Sequence, residues 1–178
     1  GAEPVRRDTM RMFIERFKPT GFAAGTIYPC YGLAEATLFV TGGVRGEGMK
    51  ASEFSPQLLA QGKAEVVDQG TSVVACGFPA SNHSIRIVDT EKLTPVTDGH
   101  VGEIWTGGDS LAQGYWQRPK ETAATFVHHD GSRWLRTGDL GFIHARQLYI
   151  MGRLKDLIII RGQNIYPQDI ELVIEETV

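Results

Sequence analysis

The sequence predicts a mixed α/β chain, α+β in arrangement, from three observations. Apolar residues near the N-terminus recur at helical spacing. From Val73 onward, short alternating segments follow one another with Gly- and Asp-bearing turns between them. After Gly152 the pattern starts afresh with an apolar strand and a Pro-initiated helix. A length of 178 residues, 42% of them hydrophobic and 22% charged, suits one globular domain or one and a fraction.

In chain order, Met10, Phe13, Ile14 and Phe17 lie on one helical face, with Asp8 as candidate N-cap and Pro19 with Gly21 ending the run. Gly25 to Cys30 reads as a strand entering a loop. Residues 41–71 are polar and Gly-rich, with a short helix near Pro56 to Gln61 and otherwise loop. Ser84 to Val88 alternates as a strand should, Asp98-Gly99 is a turn, and Val101 to Trp105 is a further strand. Pro119 opens a helix within Tyr115 to Phe126. Asp130-Gly131 is a turn before the strand at Trp134-Leu135. The succession suggests a small, mostly antiparallel sheet or open barrel. Beyond Gly152, Leu157 to Ile160 is an apolar strand, and Pro167 opens a helix carrying Ile170, Val173 and Ile174 on one face. A lone strand and helix bury little by themselves, so the chain reads as cut inside a second domain.

Composition narrows the function. A formal charge of -3 gives no electrostatic reason to expect nucleic acid or an anionic membrane as partner. No apolar run approaches the roughly 20 residues that span a bilayer, and Gly1-Ala2-Glu3-Pro4 has no signal-peptide character. A cytoplasmic setting is therefore expected. Cys30 and Cys76 have no second Cys or His at ligand spacing, so buried free thiols are expected and a zinc site is not.

Three segments carry candidate chemistry: Tyr31-Gly32-Leu33-Ala34-Glu35-Ala36-Thr37, Trp134-Leu135-Arg136-Thr137-Gly138-Asp139-Leu140 and Gly152-Arg153-Leu154-Lys155-Asp156. An acceptor-only carboxylate at Asp139 suits a diol such as ribose, an Arg153 fork suits ribose or phosphate, and a Glu35 carboxylate suits a hard cation. Taken singly, each has a plainer explanation: a turn-capping Asp, a solvated Arg, a loop Glu beside a packed tyrosine. Their joint order and spelling are far more specific.

In that order the motifs resemble those of the adenylate-forming ligases, which join a carboxylic acid to AMP at the expense of ATP. Their spelling is similar to the fatty acyl-AMP ligases. The resemblance implies that Asp139 binds the ribose, Arg153 adds a ribose or phosphate contact, and Tyr31, with Gly32, Leu33 and Ala34, borders the adenine. It makes Glu35 a catalytic Mg2+ ligand bridging to the ATP phosphates and Lys155 the hinge residue. Gly1, Ala2 and Glu3 resemble a loop beside the adenine. The wider superfamily usually has Thr where this chain has Ala34, and often Asp where it has Lys155. The Gly102 to Pro119 segment is a further signature, here read as structural, without a catalytic role.

The implied architecture is the end of a flavodoxin-like α/β subdomain (1–42), an acyl-AMP-ligase-type insertion (43–73), a small distorted antiparallel β-barrel subdomain (74–151), and the hinge with the truncated start of a mobile C-terminal domain (152–178). The implied function is activation of a fatty acid as acyl-adenylate, using ATP and Mg2+. The acyl group then passes to the phosphopantetheine arm of an acyl carrier protein, for polyketide or lipopeptide assembly. The insertion in this family is thought to restrain the mobile domain and disfavour use of CoA. A fatty acyl-CoA ligase and a non-catalytic ligase-like domain that binds acyl or nucleotide ligands are the alternatives. The family's phosphate loop and C-terminal lysine fall outside the sequence, so the 178 residues alone are expected to be inactive.

Overall fold

The computed structural model describes residues 4–167 and, after them, Ile170, Glu171, Val173 and Ile174. The chain begins with helix α1 (Arg7–Phe17), followed by β1 (Cys30–Tyr31), β2 (Thr41–Gly42), β3 (Ala51–Phe54), helix α2 (Pro56–Leu59), β4 (Thr71–Val74) and β5 (Phe78–Pro79). Then come β6 (His83–Val88), β7 (Gly102–Gly108), helix α3 (Pro119–Thr125), β8 (Phe126–His129), β9 (Ser132–His144), β10 (Gln147–Arg153), β11 (Ile158–Ile160) and β12 (Gln163–Ile165). The mixed fold class holds, with strands dominating. Every pairing among the described residues is antiparallel. The main sheet has the order β10-β9-β7-β6, with β8 also on β9, so the 13-residue β9 is its spine.

Helix α1 forms as the spacing predicts, and Gly21 ends the following turn at φ +87°. Its N-cap is Arg6, with no side-chain cap; Asp8 lies instead in the first turn, where an acid complements the helix dipole. No α1 residue is buried: Phe13 touches Phe17 and Phe22, and Met12 stays exposed. The strand expected from Gly25 to Cys30 is a correction. Ala24–Thr26 is a 3-10 turn, and only Cys30–Tyr31 pairs. Pro29, having no N–H, cannot extend a ladder.

The polar segment contains the expected α2, capped by Ser55 with Pro56 at its start. It is not otherwise loop: β3 and β4 pair over four residues. Phe54, fully buried, meets Phe142 and Tyr149 edge-on at 4.9 and 5.3 Å, while those two stack on each other at 5.0 Å. The segment is thereby fastened to the β9–β10 hairpin by an aromatic cluster.

Tyr31, Ala36, Val40, Cys76, Ile87, Ile104, Leu111, Phe126, Leu135 and Leu148 form the larger core. Cys76 is buried, which pushes its thiol up to about 12, and Cys30 is half-buried. Beyond β10, the β11–β12 pair presents Ile158, Ile159 and Ile160 to solvent. Asn164 N–H donates to the Ala60 carbonyl at 2.8 Å, touching the end of α2. Pro167, Ile170, Glu171, Val173 and Ile174 are helical; Gln168 lies outside the described residues. No helix among the described residues is long and apolar enough to cross a membrane.

Candidate functional site

The site is built by two irregularities in the β7–β9–β10 ladder. Trp105 is opposite Arg136 and Glu103 opposite Leu140, so β9 carries two residues more than β7 across this step. Two extra residues preserve side-chain alternation. Asp139 therefore shares the face of Leu135 and Ile143, which is the face of the larger core. On β10, Ile150 is opposite Gly141 and Gly152 opposite Leu140, so one extra residue falls between them. That shift brings Arg153, rather than Gly152, opposite Asp139. The bulge in β9 is held locally. Thr137 Oγ1 donates to the Ile104 carbonyl at 2.7 Å and accepts from Asp139 N–H at 3.1 Å, while Gly138 takes the left-handed φ of +71°.

Three of the sequence-predicted residues thus converge. Tyr31 Oη donates to Asp139 Oδ2 at 2.8 Å, across 108 residues of sequence, and Arg153 Nε lies 3.3 Å from Asp139 Oδ1. The Asp139 side chain is 13% exposed and that of Arg153 61%, so a half-solvated cation faces a largely desolvated anion. Burial pushes the Asp139 carboxyl above the ordinary aspartate value; the Tyr31 hydroxyl and Arg153 pull it down, and nearby Glu35 and Glu103 push it up again. Burial raises the Tyr31 phenol too, aided by Asp139, so Tyr31 remains a proton donor.

Glu35 sits in a 3-10 turn, Ala34–Ala36, within the tight connection from β1 to β2. The turn closes through Ala36 and Leu38 N–H groups donating to the Leu33 carbonyl at 3.1 and 2.9 Å. Gly32 is required here: a Cβ would fall 1.4 Å from the Leu38 carbonyl oxygen. Thr37 and Leu38 both have positive φ, 54° and 79°, which marks a strained backbone. Ser110 fastens the turn, donating to the Ala36 carbonyl at 2.8 Å while the Ser110 carbonyl accepts from Thr37 Oγ1 at 2.8 Å. Tyr115 Oη donates to Glu35 Oε1 at 2.7 Å. Lys155 is exposed in the 3-10 turn Leu154–Asp156 just after Arg153. Gly1, Ala2 and Glu3 lie outside the described residues.

Sequence reasoning read the Gly102 to Pro119 segment as structural but gave no part in this arrangement to the individual side chains that hold it: Thr137, Ser110, Tyr115 and Glu103. The last accepts from Gly138 N–H at 3.2 Å. An acidic residue within an otherwise apolar strand, Val101 to Trp105, was the available signal for Glu103.

A model of the AMP-binding enzyme family matches residues 1–116, well over half the chain. The chain belongs to that family. FadD21 of Mycobacterium tuberculosis, named as a fatty-acid–CoA ligase, is 43% identical over 187 residues, covering 99% of this chain and 32% of its own length. JamA of Moorena producens, a medium-chain-fatty-acid–[acyl-carrier-protein] ligase, is 42% identical with the same two coverages. The chain resembles a solved fatty acyl-adenylate ligase from L. pneumophila, in complex with acyl adenylate and pyrophosphate. The TM-score is 0.83 at 45% identity, over 97% of this chain and 31% of that one. The chain thus spans about a third of the length of the curated relatives it matches.

Proposed function

We propose that these residues form the ribose- and metal-facing side of the active site of an ATP-dependent fatty acid–AMP ligase. The observation that carries this is the Tyr31–Asp139–Arg153 convergence in an AMP-binding enzyme. Asp139 Oδ1 and Oδ2 take the ribose hydroxyls, Arg153 adds a ribose or phosphate contact, and Tyr31 with Gly32, Leu33 and Ala34 borders the adenine. The adenine role of Gly1, Ala2 and Glu3 rests on the motif resemblance alone, and Lys155 is the hinge. In chemical terms, the protein fixes the nucleotide and neutralises developing charge; positioning does most of the work.

The donor set fits Mg2+. Among the described residues no cluster of three or more His, Cys, Asp or Glu could cage a metal, but Mg2+ is commonly held by one or two carboxylates plus phosphates and water. Glu35 supplies one such carboxylate, its Oε1 already oriented by Tyr115. Bound there, the ion would neutralise phosphate charge.

We assign residues 1–42 to the end of an α/β subdomain, 43–73 to an insertion, 74–151 to a barrel-like subdomain and 152–178 to the start of the mobile domain. The hydrogen bond from Asn164 N–H to the Ala60 carbonyl joins residues 43–73 to the β11–β12 pair, and it supports a restraint acting there. This favours transfer of the acyl group to the phosphopantetheine of an acyl carrier protein over transfer to CoA. JamA's name points the same way and FadD21's the other. The test is product analysis of the full-length protein given ATP, Mg2+ and a fatty acid series. Acyl-adenylate with pyrophosphate, and acyl transfer to carrier protein in preference to CoA, is the expected result. Acyl-CoA as main product would establish the CoA ligase alternative, and no adenylate at all would leave a non-catalytic binding domain.

A further inference from the structure

We propose that Glu103 is a positioning residue for Asp139: its buried carboxylate holds the Thr137–Asp139 bulge in the shape that presents Asp139 to ribose. The inference rests on the ribose assignment of Asp139 above.

Glu103 is 2% exposed, at the step where β9 departs from the β7 ladder. Its Oε2 accepts from Arg136 Nε at 3.1 Å and Trp105 Nε1 at 2.9 Å, and Arg136 Nη2 lies 3.0 Å from it in an ion pair. Oε1 accepts from Gly138 N–H at 3.2 Å. Burying a carboxylate is costly, and a buried ion pair is weak evidence of a stabilising role, since apolar side chains of like volume serve as well. What an apolar residue cannot do is accept the Gly138 N–H, which the bulge removes from the ladder. With Gly138 N–H on Glu103 and Asp139 N–H on Thr137, two consecutive peptide donors are fixed immediately before the Asp139 side chain. Arg136 neutralises the anion without reaching Asp139, and its guanidinium also lies 5.6 Å from the Trp105 ring centre. Glu103 and Arg136 therefore reach the ligand through the backbone between them, and Glu103 also through its charge on Asp139, which Glu103→Asp retains.

The experiment measures binding of AMP and of 2′,3′-dideoxy-AMP to the full-length protein by calorimetry. If Asp139 holds the ribose hydroxyls, the wild type prefers AMP on the order of tenfold or more, the factor of a charge-assisted hydrogen bond. Asp139→Ala abolishes that preference. Glu103→Gln, which must turn an N–H towards either Gly138 or Arg136, is expected to lose most of it. Glu103→Asp withdraws the carboxylate by one methylene and loses it as well, giving a second variant should Glu103→Gln fail to fold. Leu59→Ala, a core truncation in the separate cluster of Phe54, Phe142 and Tyr149, provides matched destabilisation and keeps the full preference. A wild type that binds both nucleotides equally sinks the ribose assignment and this inference with it. A wild type that discriminates, with folded Glu103 variants discriminating equally well, overturns the positioning role alone.

Discussion

Replacing Asp139 by Asn separates what this carboxylate does for stability from what it does for a ligand. The amide would keep an acceptor for Tyr31 Oη and lose the ion pair with Arg153. Because Arg153 is mostly solvated, that pair is worth at most about 1 kcal/mol. In return, the variant no longer buries an anion. The carboxyl is raised on balance, burial being the largest cause, so relief outweighs loss at neutral pH. The Asn variant is therefore expected to melt above the wild type at neutral pH. The pH dependence gives the sharper reading. The native carboxyl binds its proton more tightly than the unfolded chain does, around 3.8. Wild-type stability therefore has the proton-linked contribution in full below that value and loses it as pH rises through the native value. The Asn variant does not titrate, so its advantage is greatest at neutral pH and shrinks on acidification. Thermal melts of ligand-free protein across this range measure it, alongside AMP titrations that should show weaker binding by tenfold or more. An Asn variant less stable at neutral pH, with the deficit shrinking as pH falls, would show that the ion pair dominates and that the site is a structural salt bridge.

Glu35→Gln should leave the Tyr115 hydrogen bond and Tm nearly intact while lowering adenylate formation by about a hundredfold or more, read from pyrophosphate release against Mg2+ concentration. Gly32→Ala should fail to fold correctly or lose more than about 3 kcal/mol, since its Cβ would overlap the Leu38 carbonyl and backbone must move; denaturant melts and circular dichroism report it. Phe54→Ala should cost about 3–5 kcal/mol in urea unfolding, because a fully buried ring leaves a cavity between Phe142 and Tyr149. Thr137→Val should cost about 1–3 kcal/mol and weaken AMP binding, with Thr137→Ser restoring both, because one hydroxyl satisfies two backbone groups of the bulge.

Elements with strong local signals were legible in the sequence. Pro119 opens α3, and Asp130-Gly131, both at positive φ, make the two-residue hairpin between β8 and β9. The β9–β10 hairpin was not legible, although it holds Arg153: its turn residues Ala145 and Arg146 also have positive φ, yet neither is a residue that prefers it. The β3–β4 pair escaped because 16 residues separate its strands and Ala51-Ser52-Glu53-Phe54 has no clean alternation. Of the site, the motif strings pointed to Tyr31, Glu35, Asp139 and Arg153, but not to the groups that set their geometry. Ser110 lies 74 residues from the carbonyl it holds, and Glu103 lies 35 from Gly138. Such contacts follow from sheet register, which local pattern does not encode.

Register also explains why this site is costly to keep. Had β9 gained one residue instead of two, the chain beyond the bulge would have turned its other face to the core, and Phe142 would have left the aromatic cluster that fastens Phe54 and the β3–β4 segment. With two, the downstream packing is kept and Asp139 points to the side of Leu135, Ile143 and the Tyr31 cluster. The same parity that preserves the core thus commits a carboxylate to an apolar-sided position, where its ionised form is under-solvated. Tyr31 contributes one hydrogen bond and Arg153 a half-solvated charge, and together they leave the carboxyl still raised. An anion short of hydrogen bonds is prepared to accept two hydroxyls from a ligand, because that ligand replaces missing solvation without first displacing a fully satisfied network. On this view the raised carboxyl and the nucleotide affinity have one cause. A variant that supplies Asp139 with a further internal donor should therefore stabilise the free protein and weaken its binding of AMP together.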